Sequence, residues 1–171
     1  MLDLQNPRWN ELHPFFGSPA DVPRAIAEWL LSIGFDQEEV VYARDLQQLF
    51  LHQATISDVA FAVVPWLVEA ATNRCSSLAI QYISDVAMIE MNRRERGTYW
   101  PKGVAGQGSP DWLASDYQAA IQAAQPLAED LIDSENRDEW RDMLWQLMPA
   151  LFGRSDLAAK RRKSGERCPA N

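Results

Sequence analysis

The chain has 171 residues, 47% of them apolar, enough for one domain that buries a core without disulfide or metal staples. Its net charge of −8 conceals an asymmetry: residues 153–171 carry six Lys and Arg against two acids, so residues 1–152 carry 10 bases and 22 acids, a net of −12. An acidic body repels nucleic-acid phosphates and steers basic proteins inward, although solubility is the plainer reading of the same charge. The longest apolar run, Val59 to Ala71, is broken by Pro65 and Glu69, so no membrane span is expected. The N-terminus lacks a basic segment followed by an apolar one, which makes the cytoplasm the expected address. Cys75 and Cys168 fit no disulfide framework or zinc spacing.

In chain order, an irregular start with Pro7, Pro14, Gly17 and Pro19 gives way at Asp21, a candidate N-cap, to a helix that Gly34 ends. A second helix over 37–50 has Glu38 and Glu39 at its positive end and Tyr42, Leu46, Leu49 and Phe50 on one face. His52 and Gln53 mark a tight corner. A third helix over 56–72 is apolar on two faces, which predicts a central place, with Pro65 bending it. A fourth over 74–95 uses Leu78, Tyr82, Val86 and Ile89 and ends in Arg93, Arg94 and Arg96, cations suited to a helix C-terminus. The glycine-rich segment 97–109 reads as a long loop. A fifth helix from Pro110 to about Ile132 presents Leu113, Tyr117, Ala120, Ile121, Ala124 and Leu127, and a sixth carries Trp140, Met143, Leu144, Leu147, Met148 and Leu151. The expected fold is all-α: about six helices in three antiparallel hairpins stacked as an α-solenoid, with a compact bundle as competitor. Residues 1–152 form the domain, and residues 153–171 a basic, flexible tail.

Trp9-Asn-Glu-Leu, Phe16-Gly17, Asp21-Val22-Pro23, Leu51-His52-Gln53-Ala54-Thr55 and Ala62-Val63-Val64-Pro65-Trp66-Leu67-Val68 together resemble a group of bacterial HEAT-like helical-repeat proteins. In that group a Trp-Leu start precedes a short glycine turn leading to Asp-Val-Pro, then a His-Gln-Gly/Ala-Thr corner, then an Ala-Val-Pro helix. The match is most specific from His52 to Val68 and looser over Trp9 to Ala71. It departs at Ala54, where glycine is commoner, and in the tryptophan-bearing loop. The resemblance implies stacked hairpins and an interaction role, with immunity against a toxin as the expectation, and it carries over no catalytic residues.

Each candidate chemistry has a plainer reading. His13 and His52 are the only histidines, and a metal site requires them to converge with carboxylates such as Glu38, Glu39 or Asp58. The plainer role for His52 is to hydrogen-bond exposed helix ends at its corner. The glycines at 103, 106 and 108 lack the Gly-Lys-Ser/Thr ending of a phosphate loop. The basic tail lacks the interleaved aromatics of a nucleic-acid binder. The acidic cluster Glu129, Asp130, Asp133, Glu135, Asp138, Glu139 and Asp142 is either a set of helix-opening acids or a surface complementary to a basic cleft on a partner protein. The reading is therefore a non-catalytic module without cofactor or metal that binds a protein partner, a basic toxin domain, through that cluster, with Trp100 and Lys102 in the glycine-rich loop as further contacts. A scaffold in another complex, or an enzyme using His52 with nearby carboxylates, are the alternatives.

Overall fold

A computed structural model of the chain describes residues 1–52, 55–73, 78–95, 112–134 and 137–169. Among these it is all-helical apart from one short hairpin: α1 (Asp21–Ser32), α2 (Asp36–Phe50), β1 (Leu51–His52), β2 (Thr55–Ile56), α3 (Val59–Thr72), α4 (Ala79–Glu95), α5 (Leu113–Ser134), α6 (Asp138–Leu147) and α7 (Ser155–Ser164). Short 3-10 turns cover Pro7–Glu11 and Met148–Ala150. No helix among the described residues is long and apolar enough to cross a membrane.

The irregular N-terminus is anchored by Trp9 and Leu12, both buried, with the Trp9 Nε1 donating to the Asp3 carbonyl at 2.9 Å. Gly17 then turns at φ +74°, a left-handed conformation suited to a residue without Cβ. The turn is closed by Asp21, whose carboxylate accepts from the Ser18 N–H at 2.7 Å and the Ser18 hydroxyl at 2.9 Å. Asp21 therefore opens α1 as its first residue, ordering the segment before it, with Ala20 in the cap position.

The corner expected at His52 is an antiparallel two-residue ladder pairing Leu51 with Ile56 and His52 with Thr55. Ile56 belongs to this ladder, so α3 starts three residues later than its periodicity suggests. As expected of a helix apolar on two faces, α3 is central: it packs against α4 and α5, with α1 and α2 also touching it. Ten of its fourteen residues are buried, four of them alanines, and each of the larger side chains, such as Phe61, Val63 and Leu67, contributes roughly 1.5–3 kcal/mol by leaving water.

The fourth helix is equally enclosed. Leu78, Tyr82, Val86 and Ile89 are buried as expected, and so are Ile80, Ile83, Ala87, Met91 and the polar Ser84, Asp85, Glu90 and Asn92. Tyr82 fixes it to the first hairpin: Trp29 Nε1 donates to the Tyr82 hydroxyl at 2.9 Å, and that hydroxyl donates to Glu39 Oε1 at 2.6 Å. Glu39 is not a solvated helix-end acid but fully buried, and its Oε2 accepts from the Gly34 N–H at 3.0 Å.

Residues beyond Gly153, expected to be a flexible tail, include the helix α7, which packs on α6 and α4. Ala158 is buried, and the Arg161 guanidinium lies 4.0 Å from the centre of the Trp145 ring. Basic side chains read as solvated thus partly serve packing, because an arginine stem and an aromatic face cover each other well.

Candidate functional site

The expected contact residues separate into groups. Trp100, Lys102, Glu135 and Gln53 lie outside the described residues. Glu129, Asp130 and Asp133 are exposed on the last turns of α5, and Asp138 and Glu139 are exposed on the first turn of α6. The helix dipole accounts for Asp138 and Glu139, but it opposes Asp133, which sits in a last turn without any base. Asp142 is committed to structure, its carboxylate accepting from the Cys168 N–H at 2.8 Å and holding the chain end against α6. Asp138 pairs with Arg141 at 2.9 Å.

Beside this corner, α6 and α4 frame a groove of about 420 Å³ lined by Gln47, Gln81, Asp85, Met88, Glu139, Trp140 and Met143. Asp85 is its chemical centre. The residue is 7% exposed, and its one protein partner among the described residues is the Gln47 amide, donating to Oδ1 at 2.9 Å. Burial pushes the Asp85 carboxyl up to about 7, and the Gln47 hydrogen bond pulls only partly the other way. At neutral pH this acid is therefore poised between its two forms, in a largely apolar setting, with exposed Glu139 at the rim.

On another side of α4, Glu90 is 1% exposed and lies in a different setting. Arg93 grips it with two parallel bonds, Nε to Oε2 at 2.6 Å and Nη2 to Oε1 at 2.7 Å; Arg94 Nε bonds Oε1, and the Tyr117 hydroxyl donates to Oε2 at 2.7 Å. Burial pushes the Glu90 carboxyl up, but Arg93, Tyr117 and Arg94 outweigh it and hold the group below the usual glutamate range. The Tyr117 hydroxyl is driven well above its ordinary value by burial and by the adjacent Glu90 charge.

The histidines do not converge on a metal, and the described residues hold no group of three or more ligands suited to one. His13 meets Asp58, its Nδ1 lying 2.8 Å from Oδ2 while its backbone N–H donates to Oδ1 at 2.6 Å. His52 is exposed between the rings of Phe15 and Phe16, at 6.0 and 5.1 Å. A further surface was not anticipated: Leu31, 80% exposed, Phe35, Val40 and Val41 crowd the α1–α2 corner, with exposed acids Glu28, Asp36, Glu38 and Asp45 in the same stretch of chain.

Neither Asp85 nor Glu90 is singled out by the sequence. The available signal was the apolar residues on every side of them, Ile80, Ile83, Val86, Ala87, Ile89 and Met91, which leave the helix no face for water. No family model, no curated protein and no solved structure matches the chain.

Proposed function

We propose that the chain is a non-catalytic protein-binding module, an immunity protein that neutralises a toxin by docking a basic surface of it on the α5–α6 corner and the adjoining groove. The observation that carries the reading is Asp85, a buried carboxyl with a single neutral partner that lines an apolar groove edged by Glu139. A lysine or arginine side chain entering there packs its stem on Met88, Met143 and Trp140 and delivers its charge to Asp85, drawing that acid into its carboxylate form. The exposed acids Glu129 and Asp133 outside the groove supply the long-range attraction.

The architecture proposed with this function is a stack of HEAT-like hairpins. In its support, α1, α3 and α5 touch in one row, and α4 and α6 in another that α2 joins through Gln47–Asp85 and Glu39–Tyr82. The polar helix α7 covers one end, the role a capping element plays in such stacks, whereas the α1–α2 corner at the other end leaves Leu31 and Phe35 bare. Bare apolar surface of this kind is the mark of an interaction protein.

The test is capture of a partner on the full chain, followed by co-expression. The expected partner is a protein toxic by itself and harmless when this chain is present, with an association rate that falls as salt rises. The double variant Asp85→Asn with Glu139→Lys should lose protection while remaining folded. A non-toxic partner, or undiminished protection by the folded double variant, defeats the proposal.

A further inference from the structure

The second cleft of the molecule, about 410 Å³, lies where the C-terminal end of α4, the middle of α5 and the turn at 151–153 meet. That volume is in the range of small-molecule sites. Its charge is opposite to that of the surrounding body: among the described residues that line it, two guanidiniums, Arg93 and Arg94, share one carboxylate, Glu90, leaving one positive charge in excess. Arg93 is consumed by its two-bond grip on Glu90. Arg94 is not, for only its Nε is engaged, its side chain is 41% exposed, and its Nη1 and Nη2 have no protein partner among the described residues.

The setting of Arg94 holds that fork in place. Glu90 fixes its Nε end, and Gly153, turned to φ +79°, brings the 151–153 backbone against the guanidinium, so that a Cβ there would stand 3.5 Å from Nη1. Gln118 and Gln122, one helical turn apart on α5, line the same cleft with amide groups. Beside them Gln125 also lines the cleft, its amide donating to the Leu151 carbonyl at 2.8 Å, and Ile121, Leu151 and Phe152 supply an apolar wall, with Phe152 45% exposed. A positive fork, amides that line the cleft and an apolar wall suit a ligand with an anionic head and an apolar body.

We infer that this cleft is a binding site for a small monocarboxylate with an apolar tail, its carboxylate held by Arg94 with Gln118 and Gln122 and its tail lying on Ile121, Leu151 and Phe152. One negative charge balances the single excess positive charge, whereas a phosphate monoester brings closer to two and a tetrahedral head. The site is separate from the Asp85 groove and does not depend on the toxin-binding reading.

The probes are hexanoate, hexyl phosphate and hexylammonium, each titrated into the full chain and followed by NMR and calorimetry. Hexanoate should bind and move the signals of Gln118, Gln122 and Phe152; hexyl phosphate should bind more weakly, and hexylammonium should leave those signals unmoved. Arg94→Gln, which keeps the Glu90–Arg93–Tyr117 cluster, should weaken hexanoate by about tenfold or more, the loss expected when one charge-assisted contact goes. Gln122→Met, at an exposed position where no buried contact is lost, should weaken it by a smaller factor. The inference is overturned if hexanoate at tens of millimolar moves none of those signals, if hexyl phosphate binds more tightly, or if both folded variants bind as the parent does.

Discussion

Asp85 and Glu90 lie five residues apart on one helix and about 140° apart around it, both almost fully enclosed, yet their chemistry diverges. Burial pushes each carboxyl toward its neutral form. At Asp85 a single neutral amide opposes that push and the acid rises to about 7. At Glu90 two guanidiniums and a phenol reverse it. Depth alone therefore does not decide the state of a buried acid; the number and charge of its donors do. The consequence is a contrast along α4: Glu90 is an anion held by two guanidiniums and a phenol, and Asp85 an acid whose one partner among the described residues is a neutral amide.

The largest effect should come from breaking the satisfied member of the pair. Glu90→Ala takes the buried carboxylate away from Arg93, Arg94 and the Tyr117 hydroxyl at once, and should cost about 3–5 kcal/mol in urea unfolding. Next comes the unsatisfied member, with the opposite sign. The unfolded chain releases the Asp85 proton near pH 4 and the folded chain near 7, so between those values the folded state holds the extra proton and stability falls as pH rises, levelling off above 7. A displacement from 3.8 to about 7 is worth at most roughly 4 kcal/mol. Asp85→Asn should therefore stabilise the chain at pH 8, by up to that amount, and flatten the decline between pH 4 and 7. Destabilisation at pH 8 would mean that Asp85 is already paired as a carboxylate. Glu90 gives the mirror image: its contribution is present above the ordinary glutamate range and fades only as pH falls through its depressed value.

The same contrast explains what could be read from the sequence. Apolar periodicity located all six expected helices and the central place of α3, because hydrophobic stripes report directly which faces leave water. It did not reveal the burial of α4, since Asp85 and Glu90 look like a wet face unless their partners Gln47 on α2 and Tyr117 on α5 are known, while Ser84 and Asn92 turn back on the helix's own carbonyls at Ile80 and Met88. Gln47, Arg93 and Tyr117 are ordinary residues in sequence, and only the packing of α2, α4 and α5 gives them their roles. The helix α7 escaped for a related reason: its basic residues suggested a solvated tail, while Ala158 and the Arg161–Trp145 stack supply the contact that holds it. The acidic corner was legible as charge, but the groove behind it was not, because Glu139 and Asp85 are separated by more than fifty residues.

Smaller changes test whether donors really set the two states. Tyr117→Phe removes one of the donors to Glu90 without removing a charge, and should cost about 1–2 kcal/mol while moving the acid limb of the unfolding profile toward the ordinary glutamate range. Gln47→Met is the subtlest change and the most diagnostic. It deletes the one hydrogen bond that lowers the Asp85 carboxyl, so carbon-detected NMR should show that group titrating at higher pH than in the parent chain. Because the acid is already largely protonated below neutrality, the stability cost near pH 6 should stay within about 1 kcal/mol, and it should grow as pH rises and the stranded carboxylate is forced to form. An unchanged Asp85 titration in Gln47→Met would show that the Gln47 amide does not set the Asp85 carboxyl, and the role given to that donor in the contrast between the two acids would fall.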